Sequence, residues 1–254
     1  MMRPRPLALS ALFAQLALSE LAMAQGVDEF GYYGASRGPE AYASPQSFAL
    51  ELRFGPYRPE IDDEFQGARP YSDTFGQDRR VLVGLEFDWQ FLQLQRVGSL
   101  GVGVGLGYTR MTAGMRRTDA PDLRAEQDTA LNILPAWTVA VARFDMLAHH
   151  TVIPLAFFGK IGPSAALWWV RDGNGFAKDS TGTTGKGRSD GFMLAGGAML
   201  SLDIFDGSSA RTLDASTGVN HSYLFAEWTL LDLGTSQQML VGDSTWNAGL
   251  AMEF

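Results

Sequence analysis

The chain has three histidines, His149, His150 and His221, and no cysteine. A hydrolase triad needs an imidazole beside a hydroxyl and a carboxylate. All three histidines fall in short connections or at the starts of extended segments, where no such triad assembles. His149 and His150 are adjacent and point apart in an extended chain, so they do not form a metal pair. Without cysteine there is no thiol nucleophile, disulfide framework or thiolate metal site. The run GVGVGLG (101–107) lacks the G-x-G-x-x-G spacing and lies within a strand pattern. Thr183-Thr184-Gly185-Lys186-Gly187 lacks both the hydroxyl residue after the lysine and the earlier glycine of a phosphate loop. Glu60, Asp62, Asp63 and Glu64 could offer carboxylate oxygens to a divalent cation, but the same composition suits a solvated loop, the reading preferred here. No catalytic, cofactor-binding or metal-ligating residue is therefore expected, and the chain does not read as an enzyme.

The informative charges are those that sit on one side of extended segments: Glu51, Arg53, Glu86, Asp88, Lys160, Asp203 and Glu227. Each lies opposite apolar residues at period two, the mark of a strand with two unlike faces. Eight such strands are expected. In 47–55, Phe48, Leu50, Leu52 and Phe54 oppose Glu51 and Arg53. In 81–91, Val81 to Phe91 at every second position oppose Glu86 and Asp88. In 100–110, Leu100, Val102, Val104, Leu106 and Tyr108 oppose four glycines. In 131–143, Leu131, Ile133, Trp137, Val139 and Val141 share a face that also holds Pro135. In 153–170, Phe157, Ile161 and Leu167 oppose Lys160. In 192–204, Leu194, Leu200 and Leu202 oppose Asp203. In 222–231, Leu224, Ala226, Trp228 and Leu230 oppose Glu227, with Phe225 out of pattern. The last strand, 245–254, sets Trp246, Ala248, Leu250, Met252 and Phe254 against a polar face. Two connections of awkward length leave ten strands as an alternative count.

Composition fits this reading. Charged residues make up only 19% of the chain, which carries 29 glycines and a net charge of −8. An acidic balance argues against a nucleic-acid partner. At the N-terminus, Arg3 and Arg5 precede an apolar stretch that ends at Ala22-Met23-Ala24, as in a secretory signal peptide cleaved before Gln25. No later stretch has the roughly 18 consecutive apolar residues of a membrane helix. The expected organisation is a signal peptide (1–24), a Gly-, Tyr-, Ser- and Pro-rich lead-in (25–46) and an all-β, eight-stranded, antiparallel up-and-down transmembrane β-barrel (47–254). Apolar faces would meet lipid and charged faces a lumen, because a lysine or arginine at mid-bilayer costs roughly 2–4 kcal/mol. Tyr57, Trp89, Tyr108, Trp168, Trp169, Tyr223, Trp246 and Phe254 are candidates for interfacial aromatic girdles. Pro135, Pro154 and Pro163 cluster in neighbouring strands and are expected to mark a bulge, or a side opening.

The terminal WNAGLAMEF resembles the C-terminal signature of Gram-negative outer-membrane β-barrel proteins. That resemblance implies an assembly signal on Trp246, Leu250, Met252 and Phe254, read by the barrel-assembly machinery. FALELRFGPYRPEID (48–62) resembles the barrel start of an uncharacterised family of myxobacterial outer-membrane β-barrel proteins, and FAEW (225–228) is a weaker echo of it. Small OmpA- and OmpW-like barrels are the nearest architectural comparison. The resemblance implies export to the outer membrane, with outer-membrane lipid and lipopolysaccharide as surroundings, and no cofactor. The expected role is structural or surface interaction with a side-chain-filled lumen. The alternatives are a narrow or lateral path for small or hydrophobic solutes, a lipid-modifying enzyme, and a soluble periplasmic β-barrel binding protein.

Overall fold

The structure, a computed structural model, describes residues 47–94, 97–116, 124–145, 154–173, 175–178, 181–202 and 217–254. The expected signal peptide and lead-in, with His149, His150 and Asp203, lie outside the described residues.

The strands are β1 (Phe48–Tyr57), β2 (Arg80–Leu94), β3 (Gly98–Arg116), β4 (Arg124–Phe144), β5 (Leu155–Asp172), the two-residue ribbon β6 (Gly175–Phe176), β7 (Lys186–Ser201), β8 (His221–Leu233) and β9 (Asp243–Glu253). The long strands run in the order β4-β3-β2-β1-β9-β8-β7-β5, and β4 pairs with β5 to close the ring. The first and last strands meet antiparallel, with Leu52 opposite Leu250 and Ala49 opposite Glu253. The result is a closed eight-stranded antiparallel barrel, with β6 only a lip on β5. Among the described residues, closure leaves no long strand with an unpaired edge.

The wall is uneven. β3, β4 and β5 have 19, 21 and 18 residues, against 10 and 11 in β1 and β9. β7 begins at Lys186, ahead of the expected 192, because residues 186–191 pair with the far end of β5 although they show no apolar alternation. Pairing across β4–β5 runs from Ala130–Arg171 to Phe144–Phe157 and lapses only around Thr138 and Pro163. Pro163 has no N–H to give there, and Gly162 lets the β4 backbone approach: a β-carbon would stand 2.8 Å from Val139 Cα.

Most side chains point as the alternation dictates. Phe54, Leu85, Val104, Leu106, Ile161, Leu194, Leu224, Trp228, Trp246 and Leu250 are exposed on the outside. β4 differs. Leu131, Ile133, Trp137, Val139 and Val141 face inward and are buried, while Ala136, Thr138 and Ala140 face out. Two causes act together. Arg143 shares the face of Val141 and is itself buried, and the bulky residues fill space left by the glycines of β3. Tyr57, Trp168 and Tyr223 likewise turn inward rather than joining a girdle; Tyr57 donates its hydroxyl to the Val241 carbonyl. Phe225, out of pattern in the sequence, packs inside edge-on to Phe158 at 6.0 Å.

The 58–79 segment folds over one mouth of the barrel. A 3-10 turn (Ile61–Glu64) and the short helix α1 (Pro70–Phe75) deliver Ile61 and Tyr71 into the buried cluster that holds Tyr57, Leu82, Met111 and Val241.

Candidate functional site

The charged side chains converge in the half of the barrel's interior nearer the start of β1 and the end of β9. Glu51 and Arg53 come from β1, Glu86 and Asp88 from β2, Arg143 from β4, Lys160 from β5, Glu227 from β8 and Glu253 from β9, and all are buried. Antiparallel register sets this up: Glu51 is opposite Glu86, and Ala49 is flanked by Asp88 and Glu253. Like charges opposite each other repel, so the carboxylates need cations between them.

Three cations fill that need. Arg53 reaches Glu51 at 2.8 Å, Glu86 at 3.0 Å and Glu227 at 2.8 Å. Arg143 reaches Glu51 at 2.9 Å, Asp88 at 2.8 Å and Glu253 at 2.5 Å. Lys160 bridges Glu51 and Glu86, at 2.5 Å from each. Glu51 thus touches all three. Neutral donors join the network: Trp137 Nε1 donates to Glu86, Gln90 to Glu253 at 3.0 Å, Tyr223 to Glu253 at 3.1 Å and Thr229 to Glu227 at 3.2 Å. Arg53 also lies 5.2 Å above the Trp137 ring, and Lys160 lies 5.0 Å from that of Phe158.

Glu51, Glu86 and Asp88 bring carboxylate oxygens within 4.8 Å of one another. That spacing would suit a divalent ion, but the Lys160 ammonium and the Arg143 guanidinium already sit among them. The protein's own cations occupy the place.

Glu51, Arg53, Glu86, Asp88, Lys160 and Glu227 are therefore brought together. Arg143, Glu253 and Trp137 belong to the same network and were missed. The signal for Arg143 was present: a charge at the end of the apolar face of β4 marks that face as inward. At the terminus, Trp246 and Leu250 are exposed outside, Met252 and Phe254 are half-buried, and Glu253 turns in. His221 opens β8 beside the ring of Tyr223.

The acidic cluster of the 58–79 segment is structural. Asp62 accepts from the Tyr71 N–H at 2.8 Å, from the Ser72 N–H at 3.1 Å and from the Ser72 hydroxyl, fixing the start of α1. Burial pushes the Asp62 carboxyl up, but those donors, with Arg58 nearby, hold it below the usual range. Glu60 is pushed up, first by burial and then by Asp243. Glu64 accepts from the Leu240 N–H and so ties this segment to the 234–242 connection.

No protein-family model matches the sequence, and no curated protein matches it. Among solved structures, the chain is similar to Ail, the attachment invasion locus protein of Yersinia pestis, at 10% identity and a TM-score of 0.40, covering 82% of this chain and 97% of that one. The same values hold for Ail in complex with the heparin analogue sucrose octasulfate. Neisserial surface protein A is similar at 13% identity and a TM-score of 0.43, covering 82% of this chain and 97% of that one.

Proposed function

We propose that this chain is an outer-membrane β-barrel of structural or surface-interaction type, exported through its N-terminal signal and closed to general diffusion. The observation that carries this reading is the pairing of opposites across one wall: a barrel exterior of exposed large apolar side chains around an interior of buried ions. A water-soluble barrel has the reverse order. In lipid, only closed barrels and helices satisfy every backbone polar group.

Closure to solutes is supported by two stacked layers. The ion network crosses one half of the interior, and Trp137, Met111, Leu131, Met193, Leu233 and their neighbours fill the other, with Tyr71 in the mouth. The proposed partners are outer-membrane lipid and lipopolysaccharide, and the barrel-assembly machinery through Trp246, Leu250, Met252 and Phe254. The lateral-path alternative draws on the lapse in pairing around Pro163, where register resumes on both sides.

The test is electrophoretic mobility of outer-membrane fractions with and without boiling, followed by conductance in planar bilayers. A heat-dependent shift without steady conductance is expected. A soluble periplasmic protein without a shift would overturn the membrane reading. Large stable conductance would overturn the closed interior.

A further inference from the structure

Where β3, β4, β5 and β7 rise past the apolar belt, their outward face changes character. Register aligns Arg110 with Asn132, Asn132 with Trp169, and Trp169 with Lys186 in one row across the four strands. The next row outward runs Thr112, Ala130, Arg171 and Phe176. The row below holds apolar Leu134 and Leu167, paired with each other, and continues to Arg188 on β7. Arg110, Arg171 and Lys186 are exposed, and among the described residues no carboxylate pairs with any of them. Arg171 and Lys186 flank the half-exposed ring of Phe176 at 5.9 and 5.8 Å. Asp128 and Asp190 share this outward side: Asp128 sits two rows above the Arg110 row and one above that of Arg171, and Asp190 sits two rows below the Arg110 row. Asp190 is taken by Arg188 at 2.5 Å.

The centre of this surface is organised. Asn132 is buried although it lies on the outward side. It accepts the Tyr108 hydroxyl at 2.8 Å and donates to the Trp169 carbonyl at 3.4 Å. Tyr108 and the β5 backbone at Trp169 are thus held together, with basic groups on both sides. In a chain of net charge −8, an unpaired basic row beside aromatic rings and next to a lipid-facing belt calls for a specific neighbour. Guanidinium and ammonium groups match phosphate oxygens. Aromatic rings with polar tips suit the boundary between lipid and headgroup, and the C–H faces of hexose rings pack on such rings.

We infer that this row, Arg110, Trp169 and Lys186 with Arg171 above, docks the phosphorylated sugar headgroup of an anionic glycolipid in the outer leaflet. The inference rests on the outer-membrane reading and adds to it a site and a headgroup chemistry. It places the phosphates on Arg110, Lys186 and Arg171, and a sugar ring against Trp169 and Tyr108.

The test uses the full-length mature chain folded in detergent micelles, with diphosphoryl lipid A as the probe and its dephosphorylated form as comparator. Wild type should bind the diphosphoryl form more tightly, and added salt should weaken that binding. Arg110→Gln with Lys186→Gln should lower its affinity about tenfold or more. Arg69→Gln, an exposed arginine near α1, should leave it unchanged. Heat-dependent mobility of every variant establishes folding independently, and loss of that shift in wild type would mark failure of the barrel reading instead. Equal binding of both lipid forms by wild type, or unchanged affinity in the folded double variant, would overturn the inference. So would displacement of the probe by a soluble sulfated oligosaccharide that wild type binds more tightly.

Discussion

Gly105 and Trp137 are register partners on β3 and β4, and the indole's Nε1–Cε2–Cζ2 edge occupies the space beside the glycine: a β-carbon on Gly105 would stand 2.5 Å from Trp137 Cε2. The absent side chain is what admits the indole, whose N–H reaches Glu86. Gly105→Ala should therefore destabilise the folded barrel by about 1–3 kcal/mol through overpacking. Because the two residues touch, Gly105→Ala with Trp137→Leu should lose less than the sum of the singles. Urea midpoints in detergent, read by tryptophan fluorescence for the first and by mobility for both, measure this. Additive losses would show that the indole sits elsewhere.

Glu51 is the hinge of the ion network, touching Arg53, Arg143 and Lys160. Removing its charge leaves buried cations under-compensated, a change that costs about 3–5 kcal/mol for a buried pair. Glu51→Gln should approach that loss. Glu51→Gln with Lys160→Met removes one charge of each sign and should recover part of it. A Glu51→Gln variant as stable as wild type would mean that its carboxylate is not the shared partner.

The barrel itself was legible because six charges, Glu51, Arg53, Glu86, Asp88, Lys160 and Glu227, mark their strands' inward faces at period two. Glycine spacing in β3 pointed the same way. β4 was misread because bulky Leu131, Ile133, Trp137 and Val139 look like a lipid face when each strand is judged alone. Only the neighbour's glycines, brought opposite by register, show that the space they fill is inside. Arg143 was the local clue, one charge against five apolar residues. The role of Asp62 was not legible, since it depends on Tyr71 and Ser72 returning to it across a folded loop.

The cap formed by the 58–79 segment should be pH-sensitive through Asp62. Its carboxyl sits below the usual range in the folded state, so its stabilisation is present above the unfolded value and is lost as pH falls through the folded one. Glu60, raised by burial and Asp243, acts in the opposite sense and partly offsets this on acidification. Limited proteolysis of the segment should rise as the solution is acidified into the range where Asp62 protonates. Asp62→Asn should be more readily cleaved already at neutral pH. Equal protection of the two proteins at neutral pH would sink the capping role.

The outward face can be tested by depth. Val104 is exposed on β3 with Phe87 as its register partner, in the middle of the apolar belt. Thr112 is exposed on the same strand but level with Arg171, beyond the belt. If the belt meets lipid, Val104→Lys should cost about 2–4 kcal/mol when the protein folds into phospholipid vesicles, and Thr112→Lys about 0–1 kcal/mol. In a water-facing barrel both lysines would be solvated and nearly neutral. The difference between the two variants therefore reports the solvent around the strand, because both substitutions place the same charge on the same outward side of β3.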